Sequence, residues 1–545
     1  MSPKTPIDPT TPGKLVLGGR VVTMNDANQV IDDGRLYLNQ GCITAILPAS
    51  APPPADFANA DVVATGGTIF PGLIELHNHL PYNVLQLWQV PKQYGNRDQW
   101  GNAKEYGSLI TGPMRVLGSS AELMPAVVRY VEMKALLGGT TTSQGIALFS
   151  NAGSRRFYRG LVRNVENTAD PDLPDALARI ADIDAPDAAS FRARLKKTQC
   201  LLLHLSEGTN VAAHQHFEAL HLGGDNWAIE KSLAGIHCVA LNRPDFDVMA
   251  GRGASMVWSP FSNLLLYGKT ADVGAAHAAG VKIAMGSDWA PSGSKNLLGE
   301  LKIARIESQR QGLGWSSRDI IAMATRNAAA VLNWQKFAGS LEPGKKADLF
   351  VIDSKAGDPY DALLKSNETS IQLIVINGVP RVATPALMRE FQLKGETLKI
   401  GNSQRVLNLA QETADPDVGK KTLADATSSL TVALSNFPQL AAKAQRTARL
   451  SVPASRAELK NEKPQWYLAL DELEDNGMTM RPRLPFAGVP TGPALRPNSP
   501  RSPALLTPKI LDPLTVVDDV SFLDRISKET VLPAGVASEL RKLYE

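Results

Sequence analysis

The sequence predicts an α/β fold in which eight parallel βα units are joined to a small β-sheet unit. Between about residues 71 and 338, apolar β-branched segments alternate with helix-like segments, which is typical of parallel βα units. A region of roughly 250 residues matches the length of a TIM barrel. Strand-like segments with glycine turns lie on both sides of this region. At 545 residues, the chain is expected to contain more than one domain.

The first part of the chain is predicted to form a short terminus and several sheet strands. Residues 1–14 are polar and rich in proline, so we expect a flexible N-terminus without the apolar core of a signal peptide. In residues 15–70 the strand candidates are KLVLGGRVVTM, GRLYLNQGCITAIL and DVVATGGTIF. In residues 339–395 they are GSLEPGKKADLFVIDSK and IQLIVINGVPRVA, which could join the same sheet.

The central region, residues 71–338, is assigned to the barrel. Its strand candidates include GGTTTSQGIALF, TQCLLLHLSEG, GIHCVALN, ASMVWSP and VKIAMGSD. Helical patterns such as MPAVVRYVEMKALLG and LGELKIARIESQRQG lie between them. Residues 396–545 form an extension with helical segments and, in residues 482–513, nine prolines. Because the extension contains no chemical motif, we interpret it as a strap packed on the body of the protein.

Composition narrows the possible partners and the compartment. The net charge is only +3, which gives no reason to expect nucleic acid or an anionic membrane as a partner. No run reaches the roughly 18 apolar residues that a membrane span needs. The three cysteines, Cys42, Cys200 and Cys238, are odd in number and far apart, which fits a reducing cytoplasm. We therefore expect a cytoplasmic protein with a small-molecule substrate, and a homo-oligomer is left open.

Two histidines stand one residue apart in the apolar segment PGLIELHNHL. On a strand, residues two apart point to the same side, so the side chains of His77 and His79 should converge. Buried neutral imidazoles are natural ligands for a divalent metal. Two core histidines that each bond a carbonyl oxygen are the alternative interpretation of this pair taken alone.

Further polar residues lie at the ends of other strand candidates. His204 ends the strand of LLLHLSEG, and Glu207 follows it by three residues. His237 lies in GIHCVALN, and Asp288 closes VKIAMGSD. Barrel enzymes keep their chemistry at the carboxyl ends of the strands, so these four residues are candidate site residues. Their number weakens the interpretation of His77 as an ordinary core histidine.

The chain resembles the metal-dependent amidohydrolase superfamily, in its branch of cytosine deaminase-like and triazine chlorohydrolase-like enzymes. The resemblance covers residues 15–395 and rests on PGLIELHNH, HLSE, IHCVAL, SPFSNLLL, GSD and ATRNAAAVLNW…GSLEPGKKADLFVID. It implies a distorted TIM barrel with a β-sandwich built from residues 15–70 and 339–395. It also implies one metal ion, bound by the four residues His77, His79, His204 and Asp288.

A single metal ion is favoured because binuclear relatives use a carboxylated lysine on the fourth barrel strand. The expected fourth strand, GLVRNVENT, contains no lysine. Three histidines and one carboxylate suit Zn²⁺, and Fe²⁺ would also be accommodated.

The predicted mechanism is hydrolysis by water that the metal ion activates. A divalent cation lowers the pKa of bound water to about 7. Asp288 is expected to accept the water proton, and His237 is expected to steady the oxygen of the tetrahedral intermediate. Glu207 would protonate a ring nitrogen of a heterocyclic amine, so that ammonia can leave. A solvated loop carboxylate is the alternative interpretation of Glu207.

The substrate is less well defined by the sequence. Trp88, Tyr94, Trp100 and Tyr106 could cover a planar ring, with Arg97 meeting an anionic group, or they could belong to a packed surface loop. Asn263, in SPFSNLLLYG, is a further candidate for substrate contact. Relatives that act on adenosine-type thioethers usually carry a histidine after the fourth strand, and VRNVENTADPDLP has none.

The sequence is consistent with three candidate functions. Hydrolytic deamination of a purine-, pyrimidine- or triazine-like amine is preferred because of Glu207. Hydrolysis of an amide C–N bond or of a C–Cl bond could use the same site. A catalytically inactive barrel that serves as a scaffold is disfavoured, because such proteins lose metal ligands and all six polar site residues are present here.

Overall fold

The computed structural model describes residues 7–450, 464–470 and 507–544. Within these residues, eight strands form two parallel arcs that follow one another along the chain. The strands of the first arc are Leu73–Glu75, Thr140–Ser143 and Arg163–Asn164. The strands of the second arc are Leu177–Arg179, Leu201–Leu205, Leu233–His237, Ser255–Trp258 and Lys282–Met285.

Backbone hydrogen bonds also connect the two arcs at both of their ends. The amide of Ala176 donates to the carbonyl of Val165 over 2.8 Å, beside the third and fourth strands. The amide of Leu76 donates to the carbonyl of Met285 over 3.1 Å, beside the first and eighth strands. The parallel strands therefore follow the βα order that the sequence predicted, with their carboxyl ends on one side.

One strand assignment from the sequence was wrong. The segment expected to be the fourth strand contains Arg163–Asn164, which is the third parallel strand in chain order. The fourth is Leu177–Arg179. With three residues, of which the last is polar, it is too short to show a hydrophobic period. It also contains no lysine, so the argument against a bridging carboxylated lysine is unaffected.

Helices connect these strands and cover them. Many begin at a side-chain cap, as at Asn242 and Ser316, where the capping residue accepts a hydrogen bond from the backbone three residues later. The α-helices are Arg97–Gly101, Lys104–Tyr106, Gly112–Gly118, Met124–Leu137, Ala188–Leu195, Val211–Glu218, Arg243–Gly251, Pro260–Tyr267, Val273–Ala279, Leu297–Arg310, Ser317–Met323, Arg326–Val331, Pro359–Lys365, Pro385–Glu390, Leu423–Ser435, Phe437–Leu450, Phe522–Ser527 and Val536–Lys542.

A second sheet combines strands from both sides of the barrel region. In the described part of the chain it has nine strands, and its parallel pair joins Leu15–Val22 to Val62–Pro71. In spatial order the strands are Glu396–Ile400, Ser403–Leu407, Val379–Ala383, Ile371–Ile376, Leu349–Ile352, Val62–Pro71, Leu15–Val22, Val30–Asn39 and Cys42–Pro48. The sheet thus continues beyond residue 395, into the segment that the sequence assigned to the extension.

Three short strands and one hairpin complete the β-structure. Ala147–Ser150 pairs with Arg155–Phe157 and with Trp466–Leu468, so residues 464–470 lie against the barrel region. The hairpin pairs His221–Gly223 with Asn226–Trp227.

The chain ends are partly fixed to the body of the protein. Residues 1–6 of the predicted flexible terminus lie outside the described residues, whereas the Pro9 carbonyl accepts a hydrogen bond from Asn408 over 2.8 Å. Most of the proline-rich segment also lies outside them. Residues 507–544 pack on the barrel region, where Asp512 and Phe522 are buried. No helix in the described ranges combines the length and the hydropathy needed to cross a membrane.

Candidate active site

Six polar side chains from four strand ends meet in the interior of the barrel region. The ring centroids of His77 and His79 are 5.0 Å apart, and those of His77 and His204 are 4.7 Å apart. His237 lies 4.9 Å from His77 by the same measure. An Asp288 oxygen lies 3.1 Å from Nε2 of His77 and 3.6 Å from Nε2 of His79. The structure therefore brings together the residues that the sequence singled out.

Two overlapping groups of potential ligand atoms share His77. One consists of His77, His79 and Asp288, and the other of His77, His204 and His237. In each group the candidate ligand atoms all lie within 4.8 Å of one another, and every member is buried. Such groups have the donor types and the spacing that a divalent metal ion requires.

The two strand ends that carry His77 and Asp288 are held together by main-chain bonds. The Asp288 amide donates to the His77 carbonyl over 3.0 Å, and the His79 amide donates to the Asp288 carbonyl over 2.7 Å. Gly286 makes this approach possible, because a Cβ atom there would lie 2.5 Å from the His77 backbone. His77 and His79 follow the strand Leu73–Glu75 instead of lying within it, yet their side chains converge as the sequence predicted.

Two of these positions have strained backbone. His237 has φ 68° and Asp288 has φ 63°, in the left-handed region that non-glycine residues seldom adopt. Each such residue costs on the order of 1–3 kcal/mol, which the surrounding fold must offset. The strain coincides with the residues that turn their side chains towards the site.

Hydrogen bonds orient two of the imidazoles so that Nε2 faces the centre. Nδ1 of His77 lies 3.3 Å from the Gln144 side-chain oxygen, which also accepts the Asn78 amide over 2.9 Å. Nδ1 of His204 lies 3.4 Å from the Arg179 carbonyl. Since both partners are acceptors, each Nδ1 carries the proton and each Nε2 offers a lone pair. This is the arrangement that metal-binding histidines use.

Charge states in the site also suit a cation. Burial lowers the pKa of His77, and it lowers the pKa of His204 and His237 well below the ordinary value, with His77 adding to the effect. Burial by itself would raise the pKa of Asp288. The surrounding imidazoles, of which His77 has the largest effect, instead hold the pKa of Asp288 well below the usual range. The site therefore presents neutral imidazoles and an ionised carboxylate.

A chain of hydrogen bonds fixes the protonation of His237. The Trp258 indole N–H donates to Thr270 over 2.7 Å, and the Thr270 hydroxyl donates to the Asn263 side-chain oxygen over 3.2 Å. The Asn263 amide nitrogen then lies 2.9 Å from Nδ1 of His237. In this orientation the Asn263 amide donates, so Nδ1 accepts and the ring proton is on Nε2. His237 thus presents a hydrogen-bond donor on the side of Glu207.

Glu207 is buried beside this donor. Its Oε2 lies 3.7 Å from Nε2 of His237 and 4.0 Å from Nη1 of Arg97. Burial raises the pKa of Glu207 to about 7, although Arg97 acts in the opposite direction. A carboxyl group that is partly protonated near neutral pH can deliver a proton. Its burial excludes the alternative of a solvated loop carboxylate.

The aromatic residues after His79 are buried, and they form a series of ring contacts that begins at His79. Trp289 lies 5.5 Å from His79 and 6.0 Å from Tyr106, between ring centroids. Tyr106 in turn lies 5.7 Å from Trp88 and 4.9 Å from Trp100. The aromatic segment is therefore part of the interior, and its contact with a substrate stays a prediction.

Two predicted substrate-contact residues are engaged by other protein groups. Arg97 donates to Asp182 over 2.6 Å and to the Ile180 carbonyl over 2.8 Å. Asn263 is fully buried and holds His237, as described above. Their contacts with a substrate also stay predictions.

Part of this chain matches a known protein family. A model of the Amidohydrolase family matches residues 201–381, a range that contains His204, Glu207, His237 and Asp288. This match and the similar proteins described below support the metal-dependent amidohydrolase superfamily. The family resemblance inferred from the sequence motifs is thereby confirmed.

Curated relatives match this chain over most of their length. A 5-methylthioadenosine/S-adenosylhomocysteine deaminase of Symbiobacterium thermophilum is 24% identical over 402 residues, which are 67% of this chain and 90% of the relative. A 5'-deoxyadenosine deaminase of Methanosarcina mazei is 22% identical over 443 residues, or 74% and 98% of the two chains.

Solved structures share the fold. A triazine hydrolase of Arthrobacter aurescens superposes with a TM-score of 0.54 at 19% identity, covering 70% of this chain and 98% of that one. A guanine deaminase of E. coli gives a TM-score of 0.50 at 19% identity, covering 67% and 98%. A mutant of the Arthrobacter aurescens atrazine chlorohydrolase, solved with zinc and atraton, gives 0.54 at 19% identity, covering 76% and 100%.

Several residues that shape the candidate site were not identified from the sequence. Gln144 and Thr270 lie in segments without a recognisable motif. Tyr267 bonds directly to Glu207, and it lies four residues after Asn263 on the helix Pro260–Tyr267. Residues four apart share a helix face, so this spacing was a signal that could have identified it.

Proposed function

We propose that this protein releases ammonia from a heterocyclic amine by hydrolysis, with the aid of one bound divalent metal ion. The named relatives are deaminases, and these are hydrolases that act on C–N bonds other than peptide bonds. The single observation that carries the proposal is a buried Glu207 placed beside a complete set of metal-ligand side chains. A purine-, pyrimidine- or triazine-like ring is the proposed substrate class.

We propose His77, His79, His204 and Asp288 as the metal ligands. The fit rests on buried, neutral imidazoles whose Nδ1 atoms in His77 and His204 are already bonded, and on an ionised Asp288. This donor set suits Zn²⁺ best and also accommodates Fe²⁺. When bound, the ion would supply the Lewis acidity that makes water nucleophilic at neutral pH.

The protein residues around the ion would then move and hold protons. The Asp288 carboxylate accepts a proton from the attacking water, for which its low pKa keeps it ionised. Nε2–H of His237 donates to the oxygen that is added to the ring carbon. Oε2 of Glu207 gives its proton to the adjacent ring nitrogen. The proton taken up by Asp288 then passes to the amino group, the C–N bond breaks and ammonia departs, while the hydroxyl proton of the added oxygen returns to Glu207 and leaves a carbonyl group on the ring.

The outer part of the site would recognise the ring. We propose that Trp88 and Trp100 provide apolar surface for a planar substrate. We also propose that Arg97 and Asn263 make polar contacts with it. The named relatives act on adenosine-type compounds, but the segment after the fourth parallel strand, residues 180–200, has no histidine here. We therefore propose an amine other than an adenosine-type thioether.

The wider organisation follows the same proposal. We propose that the eight parallel strands close a distorted barrel, supported by the bonds between the first and eighth strands. Residues 71–338 would form the catalytic domain, and residues 15–70 and 339–395 the composite β-sandwich domain. The strands Glu396–Ile400 and Ser403–Leu407 continue its sheet, and the rest of residues 396–545 would be an extension. A cytoplasmic location is supported by three free cysteines, and self-association is left as a possibility.

A screen for ammonia release tests the proposal. The zinc- or iron-loaded protein should release ammonia from at least one of a panel of purines, pyrimidines, pterins and triazines. Glu207→Gln should keep the metal yet lose about 10²- to 10⁴-fold in kcat. As a matched control, Glu307→Gln changes a buried carboxylate that bonds Arg310 and Gln311, and it should stay within about twofold.

Other products would support other functions. Release of chloride or of a carboxylic acid without ammonia would favour hydrolysis of a C–Cl or amide bond by the same residues. Absence of both stoichiometric metal and any product would favour an inactive scaffold and would refute the proposal.

A further inference from the structure

The helix Pro260–Tyr267 ends on a tyrosine whose hydroxyl lies between two site residues. Tyr267 is fully buried. Its hydroxyl donates to Oε1 of Glu207 over 2.8 Å and accepts from the Trp100 indole N–H over 2.7 Å. An indole N–H can only donate, so the Tyr267 oxygen accepts from Trp100, and the Tyr267 proton is donated to Glu207.

We propose that Tyr267 is a positioning residue that orients Glu207 so that Oε2 delivers the proton to the substrate. This inference rests on the proposed deamination, in which Glu207 is the acid. A neutral carboxyl group has one carbonyl oxygen and one hydroxyl oxygen. The carbonyl oxygen is the better acceptor of the two, so the Tyr267 bond to Oε1 assigns the carbonyl oxygen to Oε1 and the acidic proton to Oε2.

The surroundings of Oε2 agree with this assignment. Within the described residues Oε2 of Glu207 is buried and has no hydrogen-bond partner. Nε2 of His237 lies 3.7 Å from it, and Nη1 of Arg97 lies 4.0 Å from it. A buried polar atom without a partner is costly, so it points to a group that is supplied only when a substrate binds.

Main-chain bonds hold the three segments that meet at this point. The Arg97 amide donates to the Glu207 carbonyl over 3.2 Å, and the Thr209 amide donates to the Gly95 carbonyl over 2.7 Å. The Tyr94 amide donates to the Leu266 carbonyl over 2.9 Å. The aromatic segment, the Glu207 loop and the end of the helix are thus joined, and the Trp100–Tyr267–Glu207 bonds are preorganised.

The test is to remove the hydroxyl and keep the ring. Tyr267→Phe should lower kcat about 10- to 100-fold for the best amine of the screen, with KM changed less than about threefold, because only the proton-transfer step loses its alignment. Tyr37→Phe is the matched control: Tyr37 is equally buried, and its hydroxyl has no partner in the described ranges. It should change kcat less than about twofold.

A double substitution separates positioning from general damage. In the Glu207→Gln background, Tyr267→Phe should cause no further loss of kcat, because the acid that it orients is already gone. Trp100→Phe, which removes the N–H donor and keeps Tyr267, should give a smaller loss of kcat. Additive losses in the double variant, or a fall in kcat matched by metal loss, would overturn the inference.

A crystal structure of Tyr267→Phe provides a readout that needs no turnover. The Glu207 carboxyl group should rotate or occupy more than one orientation. An unchanged single orientation would refute the positioning role. If the wild-type protein deaminates no amine at all, the proposed function fails, and the Glu207 orientation in this variant still decides whether Tyr267 positions it.

Discussion

Asp512, on the C-terminal segment, is predicted to be essential for stability. It is fully buried and pairs with two buried lysines, Lys134 and Lys295, the latter at 2.5 Å. Lys134 also donates to the Asn83 carbonyl over 2.8 Å, and Lys295 also pairs with Asp519 at 2.9 Å. Asp512→Ala would leave Lys134 buried with a carbonyl as its remaining close partner among the described residues.

The size of the effect follows from burial. Removing one member of a buried ion pair typically costs about 3–5 kcal/mol, because the other charge is left without compensation. Burial already lowers the pKa of Lys134 to about 8, against the opposing charge of Asp512. Without Asp512 the Lys134 ammonium would lose its proton more readily. We therefore expect the free energy of unfolding to fall by about 3–5 kcal/mol at pH 7.

Urea unfolding followed by tryptophan fluorescence measures this loss. Asp512→Asn, which keeps the side-chain volume, should lose most of the same free energy because it also removes the charge. Glu539→Ala is the control on the same segment: its partner Lys542 lies at 2.7 Å, but both side chains are at least half exposed. Solvent screens such a pair, so its unfolding midpoint should hardly move.

A small effect would refute this reasoning. If Asp512→Ala changed the free energy of unfolding by less than about 1 kcal/mol, the buried lysines would not depend on Asp512 for compensation. The segment 507–544 would then be attached to the body by apolar packing alone.

Three further outcomes test the site. Asp288→Asn replaces the ionised carboxylate among the proposed ligands. It should leave the fold intact by circular dichroism and should reduce the zinc bound after zinc loading, measured by elemental analysis, to less than about a tenth of an equivalent. Thr270→Val breaks the bonds that hold Asn263 on His237, so kcat should fall about tenfold while the metal content stays constant; an unchanged kcat would contradict the fixed ring proton. Glu207 must be protonated to act and its pKa is raised to about 7, so kcat/KM should decline as the pH rises above 7, and a profile flat to pH 9 would argue against its role.

Much of the architecture was predictable from local patterns. Alternation of apolar and helical segments identified the parallel strands, because each βα unit carries its own periodicity. The strand Leu177–Arg179 was not predicted from the sequence, since three residues with a polar end are too few to show a hydrophobic period. The nine-stranded sheet could be expected only in part, because its strands pair across several hundred residues of sequence.

The candidate site was predictable where a motif placed a polar residue at the end of an apolar strand. His77, His79, His204, His237 and Asp288 could be identified in this way, and the structure brings them together. Gln144 and Thr270 could not, because each acts through a hydrogen bond whose partner is far away in sequence.

By itself, the sequence determined which candidate ligand side chains are present and which strand ends carry them, since both depend on residue type and short spacing. Only the tertiary structure decided how those groups are protonated and oriented. The ring proton of His237 and the free oxygen of Glu207 depend on Trp258, Trp100 and Tyr267, which lie on other segments. Burial sets these states, because it removes the water that would otherwise satisfy every polar atom equally.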